Sequence, residues 1–144
     1  MNNNNKLLWG SVLLAPLLVL CAWLAAGLPM ELQYHPKTRT ILLIILLIPL
    51  CEEIVFRGLL QNELASYGRL RRTLLGLSWD NLISSTLFTL VHVFYFESAL
   101  LLAIEAPALL FGYFYSQYRR LIFPVLLHIW YNAHALLVYC LVSH

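Results

Sequence analysis

The chain has 144 residues, 61% of them hydrophobic and only 11% charged, where soluble globular domains average about 45–50% apolar and about 25% charged. That balance excludes an ordinary water-soluble core, and the length corresponds to one domain. The formal net charge is +2, and no basic run is long enough to follow a phosphate backbone, so nucleic acid is excluded as a partner.

Residues 1–6, MNNNNK, form a polar tail that is expected to be disordered. Residues 7–28 carry no charge; the run exceeds the roughly 7–15 residues of a signal-peptide core. It has the about 20 residues that cross hydrocarbon, and an uncleaved spanning helix is expected. Residues 29–40 form a polar loop, and 41–60, ILLIILLIPLCEEIVFRGLL, a second span. Residues 61–80 form a polar, arginine-bearing connector lying partly along the interface. Residues 81–96, 98–118 and 121–142 supply three more apolar runs, the fourth of the five interrupted by a helix-kinking Pro107. No β alternation or internal repeat is evident, and backbone facing lipid must satisfy its own hydrogen bonds. The expected fold is therefore all-α: an integral membrane helix bundle of about five transmembrane helices in one domain over 7–144.

Basic residues in short loops set the orientation. One side holds Lys6, Arg69, Arg71, Arg72, Arg119 and Arg120, and the other Lys37 and Arg39. The richer side is cytoplasmic, which places the N-terminus there. The expected location is a cell membrane, the inner one in a bacterium, with multiple passes. Cys21, Cys51 and Cys140 are three in number and widely spaced among apolar neighbours. They form neither a metal pair nor a disulfide framework, and each is expected to be a small buried hydrophobe.

The second span carries Glu52, Glu53 and Arg57 inside six residues. Each ionised group at the centre of a span costs roughly 2.5–3.5 kcal/mol, an expense with little structural return. Glu53 and Arg57 are four apart with the acid first, the favourable order for a helical ion pair. Glu52 lies about 100° round the helix and has no local basic partner. Other spans offer partners: Phe88 and His92 share a face, as do His128 and Asn132. Counted along their helices, Glu52, His92 and His128 fall roughly 10–16 Å from the cytoplasmic boundary. Such a layer has the parts for adding water to a carbonyl. A carboxylate takes a proton from water and a histidine holds that water in line. A second histidine and an amide donate to the oxyanion.

In this order EEIVFRG, FTLVH and HIWYN resemble the EExxxR, FxxxH and HxxxN motifs of the CPBP family. That family comprises the type II CAAX prenyl endopeptidases and their bacterial relatives, also called the ABI family. The stretch GYFYSQYRRLIFPVLLH resembles the glycine-bearing helix and basic turn that precede the last motif, so the likeness covers roughly residues 41–142, with 7–28 as an extra first helix. The resemblance implies a glutamate-type intramembrane protease. Glu52 would match its catalytic base and His92 the water-positioning partner. His128 and Asn132 would match the oxyanion pair, and Glu53, Arg57 and Phe88 would support them. It implies no cofactor; two histidines and a glutamate also make a hydrolytic zinc set, a variant the missing HExxH disfavours. The implied substrate is a membrane-associated protein or peptide, C-terminally tagged or bacteriocin-like. The rival reading is a non-catalytic membrane partner, an immunity or scaffold protein, which would need helix faces more than ionisable groups. A proton carrier would be expected to show internal repeats, which are absent.

Beside these, Trp130 and Tyr131 read as packing, Trp9 and Trp79 as interfacial anchors, and His134 as structural. Glu105 is open between lining a cavity, snorkelling and touching substrate. Pro49 is expected to free the carbonyl of Ile45, four residues before it.

Overall fold

A computed structural model describes residues 6–14, 38–74 and 76–142. Residues 1–5 of the expected tail over 1–6, most of the first span and Cys21 lie outside the described residues; Lys6, expected in the tail, is helical. A helix over 6–14 (α1) is followed by an unbroken helical run from Thr38 to Ser66. That run alternates α2 (Thr38–Leu42), a π-helical turn π1 (Leu43–Leu47), α3 (Ile48–Glu53), a second π segment π2 (Ile54–Gln61) and α4 (Asn62–Ser66). Two short strands, β1 (Thr73–Leu74) and β2 (Leu77–Ser78), pair antiparallel with Thr73 opposite Ser78. Gly76 takes φ +86 in the tight turn between them, a backbone region open to glycine at no steric cost. Next come α5 (Trp79–Tyr95), a 3-10 segment (Ala99–Ile104), α6 (Glu105–Tyr118) and α7 (Ile122–Val142).

The all-α expectation holds, with the small hairpin as an addition. No helix among the described residues is long and apolar enough to cross a membrane. The run 41–60 is divided among α and π pieces of five to eight residues, and α5 stops at 17. The run 98–118 breaks because Pro107 has no N–H to continue a helix begun upstream; α6 starts at Glu105 and leaves Pro107 in its first turn, where the missing donor does no harm. Pro107 therefore marks a helix start, where a kink was expected. The helix α7 has 21 residues and carries His128, Asn132 and His134 among its apolar ones.

Contacts gather the chain into two compact units, residues 1–49 with 127–144, and residues 50–126. In the first unit, Trp130 donates from Nε1 to the carbonyl of Val12 at 3.0 Å, and Tyr131 from its hydroxyl to that of Ser11 at 3.3 Å. These bonds tie α1 to α7. His134 donates from Nδ1 to Trp130 O at 2.8 Å and packs against its indole, the structural part expected of it. In the second unit, α5 and α6 pack on one another and on π2 around Phe88, Ala108, Phe111 and Phe114. Cys51 and Cys140 are exposed, contrary to the expected burial. They share the outer surface with Leu50, Ile54 and Leu137, where a small apolar side chain serves as well as it does inside.

Candidate active site

The second unit carries a stripe of polar side chains along its inner face. Glu53, Arg57 and Gln61 follow one another at intervals of four and are completely buried, and Ala65 extends the line. Glu53 closes α3 and the other two lie in π2; π segments are frequent at functional sites. Arg57 donates from Nη2 to the carbonyl of Ala108 at 2.6 Å. Its Nε sits 3.2 Å from Glu53 Oε2, outside hydrogen-bond geometry, so the pair is a contact of charges. The guanidinium also lies 5.2 Å from the centre of the Phe88 ring, on the face where a ring's quadrupole attracts a cation.

Phe88 transmits this arrangement to His92. Its ring meets Phe56 edge-on at 5.1 Å and the imidazole of His92 at 4.3 Å. A carbonyl only accepts, so His92 Nδ1, 2.9 Å from Phe88 O, carries a hydrogen. In the neutral ring Nε2 then presents its lone pair. Nε2 lies 3.4 Å from Glu52 Oε1, with about a fifth of each side chain open, 21% and 23%. A proton on Nε2 bridges the two groups directly at that separation; a water that donates to both fits once they part slightly. The expected pairing of Glu52 with His92 is therefore present, and both reach the surface, whereas Glu53 is sealed. Glu52 and Glu53 are neighbours in sequence with different environments because one helical step turns the side chain from the inner face to its margin.

In the first unit, His128 is buried. Asn132 donates from Nδ2 to the carbonyl of Ile44 at 3.1 Å, and π1 explains why that oxygen is available. The N–H of Ile48 bonds five residues back to Leu43 O. The next donor in that register is Pro49, which has none. In that register Pro49 offers no donor to the carbonyl of Ile44, as in α geometry it offers none to Ile45. One amide hydrogen of Asn132 is committed here and the other remains to donate.

Several polar residues of this unit-2 interior were missed in the sequence. Gln61, assigned to a connector, donates from Nε2 to Gly112 O at 3.0 Å, Ser116 Oγ at 2.9 Å and Asp80 Oδ2 at 3.3 Å. Asn81 donates to Leu109 O at 3.0 Å and accepts from Ser85 Oγ at 3.0 Å. Ser84 donates to Phe56 O at 2.7 Å. Gly112 admits them: a Cβ there would collide with the Asn81 amide oxygen. The detectable signal was the continuation of the four-residue interval from 53 and 57 to 61. Glu105 accepts from Thr86 Oγ1 at 3.1 Å, joining the start of α6 to α5. Among the described residues, no three His, Cys, Asp or Glu side chains group as a metal site.

Comparison with known proteins bears on the same segment. No curated protein and no solved structure matches the chain. A family model described as type II CAAX prenyl endopeptidase Rce1-like matches residues 34–134, more than two thirds of the sequence, and includes Glu52, Glu53, Arg57, Phe88, His92, His128 and Asn132. The chain belongs to this Rce1-like endopeptidase family.

Proposed function

We propose that the protein is an intramembrane endopeptidase in which Glu52 activates a water molecule for attack on a peptide bond. The observation that carries the reading is the 3.4 Å approach of Glu52 Oε1 to His92 Nε2, with the imidazole pinned at its other nitrogen. A water donating one hydrogen to each acceptor turns its oxygen lone pairs away from both, toward an incoming carbonyl. As the oxygen attacks, Glu52 takes the proton and later returns it to the departing amine. Phe88 and Arg57 hold the ring: the first stacks on it and supplies its carbonyl anchor, and the second is locked to Ala108 and Glu53. His128 and Asn132 are assigned to the developing oxyanion through the HxxxN motif, where N–H donors favour the transition state over the ground state. No metal or other cofactor enters this chemistry.

A bilayer setting, with about five spans and the N-terminus cytoplasmic, draws support from the distribution of polarity. Glu53, Arg57, Gln61, Asn81 and Ser84 are buried while Leu46, Leu59, Leu87, Val91 and Phe94 are exposed. Exposed apolar surface on this scale needs a partner or a lipid phase. The substrate is then a membrane-associated protein or peptide, a C-terminally tagged or bacteriocin-type precursor. The test is mass spectrometry of membrane peptides produced with wild-type protein, Glu52→Gln or His92→Ala. The wild type yields a new terminus, and each variant lowers its formation by roughly 10²–10⁴-fold. A Glu52→Gln protein that cuts at the wild-type rate would sink the mechanism; one that retains the cellular role without cutting would leave the non-catalytic partner in its place.

A further inference from the structure

Apart from the Glu52–His92 pair, the second unit has a cavity of about 270 Å³ that opens to the surface. Its walls include Arg71 before the hairpin, Thr73 and Ser78 on the two strands, Asp80 and Asn81 in the first turn of α5, Ser116 on α6 and Arg119 in the turn after it. Neither Glu52 nor His92 lines it. Segments 48 residues apart thus bring two arginines to one hollow.

Both arginines are held by local structure. Arg71 Nε donates to Ala65 O at 2.7 Å, satisfying a carbonyl in the last turn of α4 and leaving the outer nitrogens of its fork available. Arg119 is a non-glycine residue at φ 52, ψ 34, a left-handed conformation that L side chains seldom adopt. Its N–H closes α6 on Tyr115 O at 2.8 Å, and its guanidinium lies 5.9 Å from the Tyr115 ring centre. The acid in the wall, Asp80, is buried and receives the Gln61 amide, so the cavity carries one net positive charge from two arginines and one carboxylate. Thr73 and Ser78, opposite one another on the hairpin, and Ser116 on α6 add hydroxyls to the lining.

We infer that this cavity binds a phosphate group, with Arg71 and Arg119 as the charged clamp and the hydroxyls of Thr73, Ser78 and Ser116 on the remaining oxygens. Planar guanidiniums match phosphate oxygens two at a time, and the neighbouring hydroxyls can donate to the oxygens that remain. The volume exceeds that of phosphate alone and leaves room for a glycerol-sized group against Asp80 and Asn81. Arg69, Arg71, Arg72, Arg119 and Arg120 all lie in these two loops, the ones that basic-residue bias assigns to the cytoplasmic leaflet. Anionic lipid headgroups are concentrated there. Binding of this group does not depend on peptidase activity.

The test measures thermal unfolding of the full-length protein in phosphatidylcholine micelles, with added phosphatidylglycerol in one arm and soluble glycerol 3-phosphate in the other. A rise of the midpoint with phosphatidylglycerol alone identifies a lipid headgroup, and an equal rise with glycerol 3-phosphate identifies a free phosphate ester. In either arm Arg119→Gln weakens half-maximal binding roughly tenfold, as loss of one charge-assisted contact does. Arg120→Gln, whose side chain does not line the cavity, leaves it unchanged. Arg71→Gln also removes the Ala65 bond and is destabilised beforehand, so Thr73→Val provides the second reading and weakens binding by a smaller factor. The proposal is overturned if neither ligand raises the midpoint, if Arg120→Gln weakens binding as much as Arg119→Gln, or if Arg119→Gln and Thr73→Val both bind as the wild type does.

Discussion

The bond from Asn132 to Ile44 separates a structural role from a catalytic one. Asn132→Ala leaves Ile44 O without a donor, because Pro49 has no N–H to offer in the π1 register. Facing lipid rather than water, an unsatisfied backbone acceptor costs about 1–3 kcal/mol or more. Pro49→Ala restores a backbone N–H at the required position, so in the Asn132→Ala background it recovers most of that loss. In the wild-type background the same change has opposing effects. It removes a helix-interior proline, worth up to about 3 kcal/mol, and leaves a small void, since Pro49 is fully buried, at about 0.8 kcal/mol per methylene. The informative quantity is therefore the coupling energy of the double-mutant cycle, expected at about 1–3 kcal/mol. Denaturant unfolding of the four proteins in micelles, followed by tryptophan fluorescence, measures it. Additive effects, with coupling below about 0.5 kcal/mol, would refute the register argument. Peptide cleavage by the double variant then decides the second question. Restored stability without restored turnover assigns the remaining amide hydrogen to the oxyanion, and restoration of both makes Asn132 structural alone.

Arg57→Met strands the sealed Glu53 carboxylate and is expected to cost about 3–5 kcal/mol in unfolding experiments; adding Glu53→Gln to it recovers at least half, and a double variant no more stable than the single would show that the charges are not coupled. Gly112→Ala drives a methyl group into the Asn81 amide and should lower stability by about 1–3 kcal/mol, whereas Gly10→Ala, with nothing near its Cβ, should not. Phe88→Leu keeps an apolar side chain but removes the ring that meets both Arg57 and His92; kcat for peptide cleavage should fall with KM nearly unchanged, and an unchanged kcat would remove Phe88 from the positioning chain.

The motif pairs were legible in the sequence because a four-residue interval has a local meaning in any helix. Glu53 reaches Arg57, and Phe88 O reaches His92 Nδ1, within a single turn. Glu52 was identifiable as the acid without a neighbour because one step along a helix turns the side chain by about 100°. The hidden part was long-range. Gln61 lies in a polar-looking stretch, and its burial depends on Gly112, 51 residues away, being small enough to admit it. Membrane-length apolar runs were read as single helices, but π turns and Pro107 divide them, and hydropathy has no sensitivity to hydrogen-bond register.

What the amino-acid order determined by itself is which residue types lie within about one helical turn of each other, because residues four apart stay neighbours in α and π turns alike. Tertiary structure alone decided that His92 turns Nε2 to Glu52, that Ile44 takes its donor from Asn132, and that Arg71 and Arg119 share a cavity. Each of these joins segments whose distance in space bears no fixed relation to their separation along the chain.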